Sequence, residues 1–245
     1  MNQSRISRLP ADSWTTAVRS TARLTSRRNK VSLKIKTEGD KPTMSLTLLS
    51  PLSLPLPLVL ASSSPRRKEI LRLAGYEFTS VAPRVDETLD LSFPCSEETA
   101  TAAIKKLALR KAEHVYLEKE KSCICLGADT VIYFQGEILG KPADSAHAAQ
   151  MLHELSGQKH LVITGVAILA PSKIDSFAVC SEVEFYDLSE SQIAAYVATG
   201  SPLDKAGSYG VQDQGALLIK HLSGDFYGVM GLPIAAVHRH LSQLL

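Results

Sequence analysis

The residues best suited to chemistry follow a short apolar run, where residues 62–67 read SSSPRR. Ser64 is suited to cap a helix and Pro65 to its first turn, so the sequence predicts a helix that begins there. A helix N-terminus presents free backbone N–H groups and a partial positive charge, and it therefore binds anions. Arg66 and Arg67 oppose the helix dipole, a cost that a bound phosphate would offset because guanidinium groups bind phosphate oxygens in pairs. The alternative is a capped surface helix whose arginines pair with nearby carboxylates.

A carboxylate lies inside the apolar segment 124–134, which is predicted to be a strand. Side chains near the strand ends of open α/β sheets reach the crevice in which ligands bind. Asp129 is therefore a candidate to hold a divalent cation or to accept a proton from an attacking water. The alternative is an aspartate that only caps a turn at the end of a strand.

Two glycine-containing loops supply further candidates. Residues 140–142 (GKP) carry Lys141, a candidate phosphate contact, but the spacing from Gly136 and the proline after the lysine exclude a P-loop. Residues 204–212 (DKAGSYGVQ) form a polar loop that could contact a base or a ribose, although such loops are also common as plain turns. The sequence has no nucleophile elbow, zinc-protease motif or dinucleotide-binding fingerprint.

Hydrophobic periodicity and cap residues predict the elements that must position these side chains. They are strand 58–61, helix 65–75, helix 98–118, strand 124–134 with a hairpin return at 137–139, helix 144–155, strands 160–169 and 181–187, helix 189–199, hairpin 216–226 and helix 233–244. Strands alternate with helices, but hairpins interrupt the alternation. This pattern indicates a mixed sheet with helices on its faces rather than a doubly wound parallel sheet.

Length and composition indicate one α/β domain with an appendage. The chain has 245 residues, of which 44% are hydrophobic and 21% charged, as is ordinary for globular proteins. Its four cysteines are too few and too irregularly spaced for a disulfide framework, so we expect reduced thiols and a cytoplasmic location. Prolines interrupt the apolar stretch 46–60, so we expect no transmembrane helix and no membrane partner.

Charge is distributed unevenly along the chain. Residues 1–43 hold ten Lys and Arg against three acidic residues, a net charge of +7, whereas the remainder holds 17 basic and 22 acidic residues, a net charge of −5. We therefore expect residues 1–55 to form a flexible extension and residues 56–245 to form the folded domain. The extension has three open interpretations: an organelle transit peptide, an inert segment upstream of a start at Met44, or a nucleic-acid arm. The acidic domain argues against stable nucleic-acid binding.

Short motifs along the folded part, taken together, resemble the Maf family of nucleotide pyrophosphatases. In chain order they are LASSSPRR (60–67), VDET (85–88), RKA (110–112), GADTV (127–131), LGKP (139–142), LSG (155–157), TGVA (164–167), DKAGSYG (204–210) and GLP (231–233). The resemblance runs from about Leu58 to the C-terminus. It has two departures: Asp213 stands where the family has glycine or a small residue, and compact family members have no counterpart of the extension.

The resemblance implies an elongated mixed sheet with flanking helices, forming two lobes around a nucleotide cleft as in inosine triphosphate pyrophosphatases. It implies hydrolysis of a nucleoside triphosphate (dTTP, UTP or a modified pyrimidine nucleotide) to the monophosphate and pyrophosphate, with Mg²⁺ or Mn²⁺. Asp129 would be the proton acceptor and, with Glu87, a metal ligand. The implied substrate-binding residues are Ser62, Ser64, Arg66, Arg67, Lys111, Thr130, Lys141, Lys205 and Gln212. Among these, Arg66, Thr130 and Gln212 match positions that mark the dTTP/UTP subgroup.

A rival hypothesis comes from a different functional class. The chain could be a nucleotide-binding regulator of cell division or septum formation that acts through protein partners without turnover. Family members are often homodimers, but no segment of this sequence identifies an interface.

Overall fold

The computed structural model describes residues 51–244, which belong to one compact unit. In the separate unit before them it gives only the backbone of three strands, β1 (Arg23–Arg27), β2 (Lys30–Lys34) and β3 (Leu46–Thr47). Strand β2 pairs antiparallel with both β1 and β3, and the sequence analysis predicted none of the three. The other residues before 51 lie outside the described residues, so the flexible extension and its three interpretations stay predictions.

The domain alternates strands and helices in an irregular order. Its elements are β4 (Leu58–Ala61), α1 (Pro65–Leu73), β5 (Thr79–Val81), α2 (Glu97–Glu118), β6 (Ile124–Phe134), β7 (Glu137–Leu139), α3 (Ser145–Leu155), β8 (Lys159–Ala170), β9 (Lys173–Phe185), α4 (Glu190–Ala198), β10 (Ile219–Ser223), α5 (Phe226–Met230) and α6 (Ile234–Ser242). Three short 3₁₀ turns, Ser201–Asp204, Ala206–Ser208 and Gln214–Leu218, connect α4 to β10.

One seven-stranded sheet organises the domain, with the strand order β10-β9-β8-β6-β4-β5 and β7 paired to β6. Strand β4 runs parallel to β5 and β6, and the other pairs are antiparallel. The mixed sheet predicted from the sequence is therefore confirmed. Among residues 51–244, no helix is long and apolar enough to cross a bilayer.

Two groups of helices pack against the long central strands. In β4, Leu58 and Leu60 belong to the cluster under α1 and α6, whereas Val59 and Ala61 belong to the cluster under α2, because successive strand residues face opposite sides. Both faces of this strand are buried, which explains its uninterrupted apolar run. At the other end of the sheet, α3 and α4 pack with β8, β9 and β10 around Phe185.

The structure differs from the predicted elements at three places. The predicted hairpin 216–226 is wrong: only β10 forms a strand there, and Asp225 starts helix α5 by accepting a hydrogen bond from the Gly228 amide at 2.8 Å. Strand β9 begins at Lys173, eight residues before its predicted start, because it pairs with β8 from Lys173 to Glu184. Strand β5 was not predicted, and its exposed residues give no apolar pattern.

The stretch just before β4 packs onto the domain. Leu52, Leu54 and Leu56 contact the cluster under α1 and α6. The predicted domain boundary, at residue 56, falls on the last of these leucines. The alternating prolines prevent a helix or strand here, but the leucine side chains still pack against the domain.

Helix α2 lies unusually close to the sheet because two strand residues are glycines. A Cβ atom at Gly165 of β8 would lie 2.7 Å from the backbone oxygen of Ile104, and one at Gly127 of β6 would collide with the backbone oxygen of Ala108. The absence of a side chain at these positions therefore sets the distance between α2 and the strands, and with it the position of every side chain that α2 directs toward β6.

We predict that Gly165→Ala destabilises the domain, because the new methyl group would force the α2 backbone away from β8. The expected loss in the free energy of unfolding is about 1–3 kcal/mol. Urea denaturation measures it as a lower midpoint with an unchanged slope. Gly140→Ala is the matched control, since a Cβ there meets nothing within 4 Å. Equal stability of the two variants would show that the close approach is not required.

Candidate active site

The N-terminus of α1 is built as the sequence predicts. Ser64 caps the helix by accepting a hydrogen bond from the Arg67 amide at 3.5 Å, and Pro65 occupies the first turn. Ser62, which is buried, accepts a hydrogen bond from the Ser64 amide at 3.1 Å. The predicted anion site at this helix start therefore has both of its serines in place, with their oxygens ordering the turn.

Arg67 is held within the protein. Its Nε donates to the backbone oxygen of Gly231 at 2.8 Å, Nη2 donates to Thr130 Oγ1 at 3.2 Å, and Nη1 donates to Ser62 Oγ at 3.4 Å. Burial lowers the pKa of Arg67, whereas nearby Asp129 raises it. Arg67 therefore ties α1 to β6 and to the turn after α5.

A chain of hydroxyl groups continues from Arg67 into the core. Thr164 Oγ1 is 2.9 Å from Thr130 Oγ1 and donates to the Gly228 carbonyl at 2.8 Å. Because the single hydroxyl proton of Thr164 goes to Gly228, Thr130 must be the donor to Thr164. Thr130 therefore accepts one hydrogen bond from Arg67 and donates its own proton to Thr164.

Lys111 of α2 brings two carboxylates together. Its Nζ lies 2.6 Å from Asp129 Oδ1 and 2.9 Å from Glu87 Oε1, and its side chain is only 6% exposed. Glu87 comes from the segment between β5 and α2, and Asp129 from the middle of β6. The predicted catalytic carboxylate and the predicted metal ligand thus share one buried ammonium group.

Arg66 points to the loop that follows α4. Its Nη1 forms an ion pair with Asp204 Oδ2 at 3.2 Å, and the other oxygen of Asp204 lies 2.6 Å from Lys205 Nζ. Lys205 also donates to the Ser201 carbonyl at 2.6 Å. Asp204 thus links Arg66 to Lys205, two of the residues predicted to bind substrate.

The two glycine-containing loops are joined to each other. The Gly207 amide donates to the Gly140 carbonyl at 2.9 Å, which places the loop of Lys141 beside that of Lys205. The side chains of Lys141 and Gln212 are exposed, and among the described residues neither has a hydrogen-bond or ion-pair partner.

A buried aromatic group supports the second loop from below. His160 Nε2 is 2.7 Å from the Tyr209 hydroxyl, and both rings pack edge-on against Phe185. Burial lowers the pKa of His160 to about 4, so the imidazole is neutral near pH 7. Because the ring is buried, packs on Phe185 and bonds to Tyr209, we interpret His160 as a structural support of this loop.

The predicted site residues fall into three connected groups and two exposed side chains. The groups are Ser62, Ser64, Arg67 and Thr130; Glu87, Lys111 and Asp129; and Arg66 with Lys205. Sequence reasoning missed Thr164, Asp204 and Asp213, all of which bond to members of these groups. Thr164 and Asp204 lie within the motifs quoted above, but the sequence does not show which residues they contact; the structure does.

Two carboxylates beside Lys111 are the candidate metal ligands. Within residues 51–244, no three His, Cys, Asp or Glu side chains form a ready-made metal site. Asp129 and Glu87 still fit Mg²⁺, which commonly takes one or two protein carboxylates and completes its shell with water and substrate phosphates.

These features define an α/β protein in which contacts join a helix N-terminus, several cations and a carboxylate at mid-strand, an arrangement chemically suited to a phosphate-bearing ligand. The chain belongs to the Maf-like family, whose model, described as "Maf-like protein", matches residues 57–244. The resemblance noted in the sequence is thereby confirmed.

Curated relatives cover most of the chain. A protein of Bacillus thuringiensis subsp. konkukian (strain 97-27) and one of Bacillus anthracis are each 46% identical over 186 residues, which is 76% of this chain and 94% of the relative. A protein of Bacillus cytotoxicus is 46% identical over 185 residues, with the same two shares. All three are named dTTP/UTP pyrophosphatase.

We predict that Thr130 and Thr164 are energetically coupled, because either hydroxyl is lost as a partner when the other is removed. Thr130→Val and Thr164→Val should each lower the free energy of unfolding by about 1–3 kcal/mol. The double variant should lose less than the sum, by about 0.5–3 kcal/mol. Chemical denaturation of all four proteins measures this difference, and strict additivity would contradict the hydroxyl chain.

Proposed function

We propose that this chain is a nucleoside triphosphate pyrophosphatase that converts dTTP and UTP, or modified pyrimidine triphosphates, into the monophosphate and pyrophosphate. The observation that carries the proposal is the Glu87–Lys111–Asp129 group and its connection to the N-terminus of α1. Arg67 of α1 donates a hydrogen bond to Thr130, the residue after Asp129, and the charges of Arg67 and Asp129 attract each other. The names of the 46%-identical relatives support the choice of substrate.

Asp129 is proposed as the proton acceptor for water that attacks the α-phosphorus. Lys111, at 2.6 Å, fixes the orientation of one carboxylate oxygen and leaves the lone pairs of the other for a proton and a cation. Cations and backbone amides at the site would stabilise the charge that develops on the leaving pyrophosphate. Arg66, the amides of the α1 N-terminus and exposed Lys141 are the groups proposed for this role.

A divalent cation, Mg²⁺ or Mn²⁺, is proposed to bind at Asp129 and Glu87. When bound, it would neutralise phosphate charge and favour departure of the pyrophosphate. Glu87 is 62% exposed, so it can turn from Lys111 toward a cation that arrives with the nucleotide. The exposed Gln212 and the committed hydroxyl of Thr130 are the proposed determinants of base preference.

The cellular location and the oligomeric state are proposed from general features of the chain. All four cysteines lie in the described part of the chain and are free thiols, which supports a reducing compartment such as the cytoplasm. Homodimer formation remains a prediction from the resemblance, and sedimentation analysis of the purified chain tests it.

The function is tested by incubating the purified protein with Mg²⁺ and separate triphosphates: dTTP, UTP, CTP and 7-methyl-GTP. We expect nucleoside monophosphate and pyrophosphate, fastest from dTTP and UTP. Nucleoside diphosphate with free phosphate would overturn the proposed bond cleavage. Binding without turnover of any triphosphate would overturn the enzyme and favour the nucleotide-binding regulator of cell division.

We predict that Asp129→Asn lowers kcat by about 10²–10⁴-fold, because an amide cannot accept the proton. Asp175→Asn is the matched control: Asp175 is partly buried and pairs with His240 at 2.7 Å on helix α6, outside the three site groups. Circular dichroism and thermal unfolding confirm that both variants fold. Activity of Asp129→Asn within a fewfold of the control would remove Asp129 from the proposed role.

A further inference from the structure

Asp213, the neighbour of Gln212, places its carboxylate inside the loop that it belongs to. Its Oδ1 accepts hydrogen bonds from the Gly215 amide at 2.7 Å and from the Tyr196 hydroxyl at 3.0 Å. Tyr196 lies on α4, so this oxygen joins the loop to the helix before it.

The other oxygen holds the beginning of the same loop. Oδ2 accepts a hydrogen bond from Ser201 Oγ at 2.6 Å and forms an ion pair with Lys205 Nζ at 3.3 Å. The four partners of Asp213 thus come from helix α4, the first 3₁₀ turn and both sides of the loop. A carboxylate offers about four acceptor positions, and here all of them are used.

The backbone on both sides of Gln212 is packed against this carboxylate. A Cβ at Gly210 would lie 2.7 Å from Asp213 Oδ2 and 2.6 Å from Lys205 Cε, and a Cβ at Gly215 would lie 3.0 Å from Oδ1. The Gly210 amide also donates to the Tyr196 hydroxyl at 3.1 Å. Both glycines are therefore required by the close approach of the Asp213 network.

Asp213 remains charged in this position. Burial alone raises its pKa, but hydrogen bonds from Ser201, the Gly215 amide, Tyr196 and Lys205 outweigh burial and lower the pKa below its ordinary value. Its side chain is 29% exposed, so the carboxylate is accessible at one side only.

We propose that Asp213 is a positioning residue that fixes the loop carrying Gln212 and thereby sets the selectivity for the nucleotide base. The carboxylate locks the main chain at Gly210 and Gly215, and Gln212 extends outward between these two fixed points. A rigid loop accepts only bases that match the position of Gln212, whereas a loosened loop admits other bases and loses affinity for the matching one. The proposal rests on the proposed nucleotide pyrophosphatase function.

The test compares wild type, Asp213→Ala, Asp213→Asn and the matched control Asp175→Ala, with kcat and KM measured for dTTP, UTP, CTP and dGTP. For Asp213→Ala we expect KM for dTTP and UTP to rise about tenfold while kcat changes less than about threefold. The ratio of kcat/KM for dTTP to that for dGTP should fall about tenfold. Asp213→Asn keeps one acceptor oxygen, but its amide nitrogen cannot accept a hydrogen bond and the charge that pairs with Lys205 is lost, so its changes should be smaller than those of Asp213→Ala and in the same direction.

A second variant tests the proposal if Asp213→Ala does not fold. Tyr196→Phe removes the hydroxyl that joins Gly210 to Asp213, and it should reproduce the fall in selectivity. Unchanged base selectivity in Asp213→Asn and Tyr196→Phe would overturn the proposal, as would an equal loss for all four nucleotides.

Failure of the underlying function gives a different result. If wild type hydrolyses none of the triphosphates, the proposed function is overturned, and calorimetric binding of dTMP and dGMP to the same variants then decides the role of Asp213. A wild-type preference for dTMP that is lost in Asp213→Asn would support the positioning role even then. Equal preference in wild type and variant would contradict it.

Discussion

The site depends on the close contact between helix α2 and the sheet. Gly127 and Gly165 let the helix backbone lie directly on β6 and β8, and an added Cβ at either position would meet backbone atoms of α2 at under 3.0 Å. This distance places Lys111 against Asp129, since both side chains project into the same narrow space. The packing of helix α2 on the sheet thus sets an ion pair at 2.6 Å, and the chemistry proposed for Asp129 depends on it.

Three cations of the site, Arg66, Lys111 and Lys205, are balanced by carboxylates. Lys111 lies between Glu87 and Asp129, Arg66 contacts Asp204, and Lys205 contacts Asp204 and Asp213. Such pairing lowers the cost of gathering positive charge before an anionic ligand arrives. Asp204 and Glu87 are 67% and 62% exposed, so under the proposed function these two are the carboxylates that would give way to phosphate oxygens.

Local sequence signals predicted much of the fold. Caps at Ser64 and Asp144 and the capping box at Ser189 marked helix starts correctly, because a cap is a contact between residues three positions apart. The failures needed information from distant residues. The early start of β9 depends on pairing with β8, and the contacts of Asp213 join α4 to a loop that follows it by many residues.

The contrast between Arg66 and Arg67 shows what adjacent residues in one motif can and cannot reveal. Both arginines follow Pro65 and look equivalent in the sequence, and both were predicted to contact phosphate. In the fold, Arg67 donates to Gly231, Thr130 and Ser62, whereas Arg66 forms an ion pair with the exposed Asp204. A guanidinium with three internal acceptors loses several hydrogen bonds if it turns to a ligand, but one with a solvent-exposed partner loses little. Under the proposed function, Arg66 is therefore the arginine that would exchange its partner for substrate phosphate, and Arg67 is the one that holds the helix N-terminus in place.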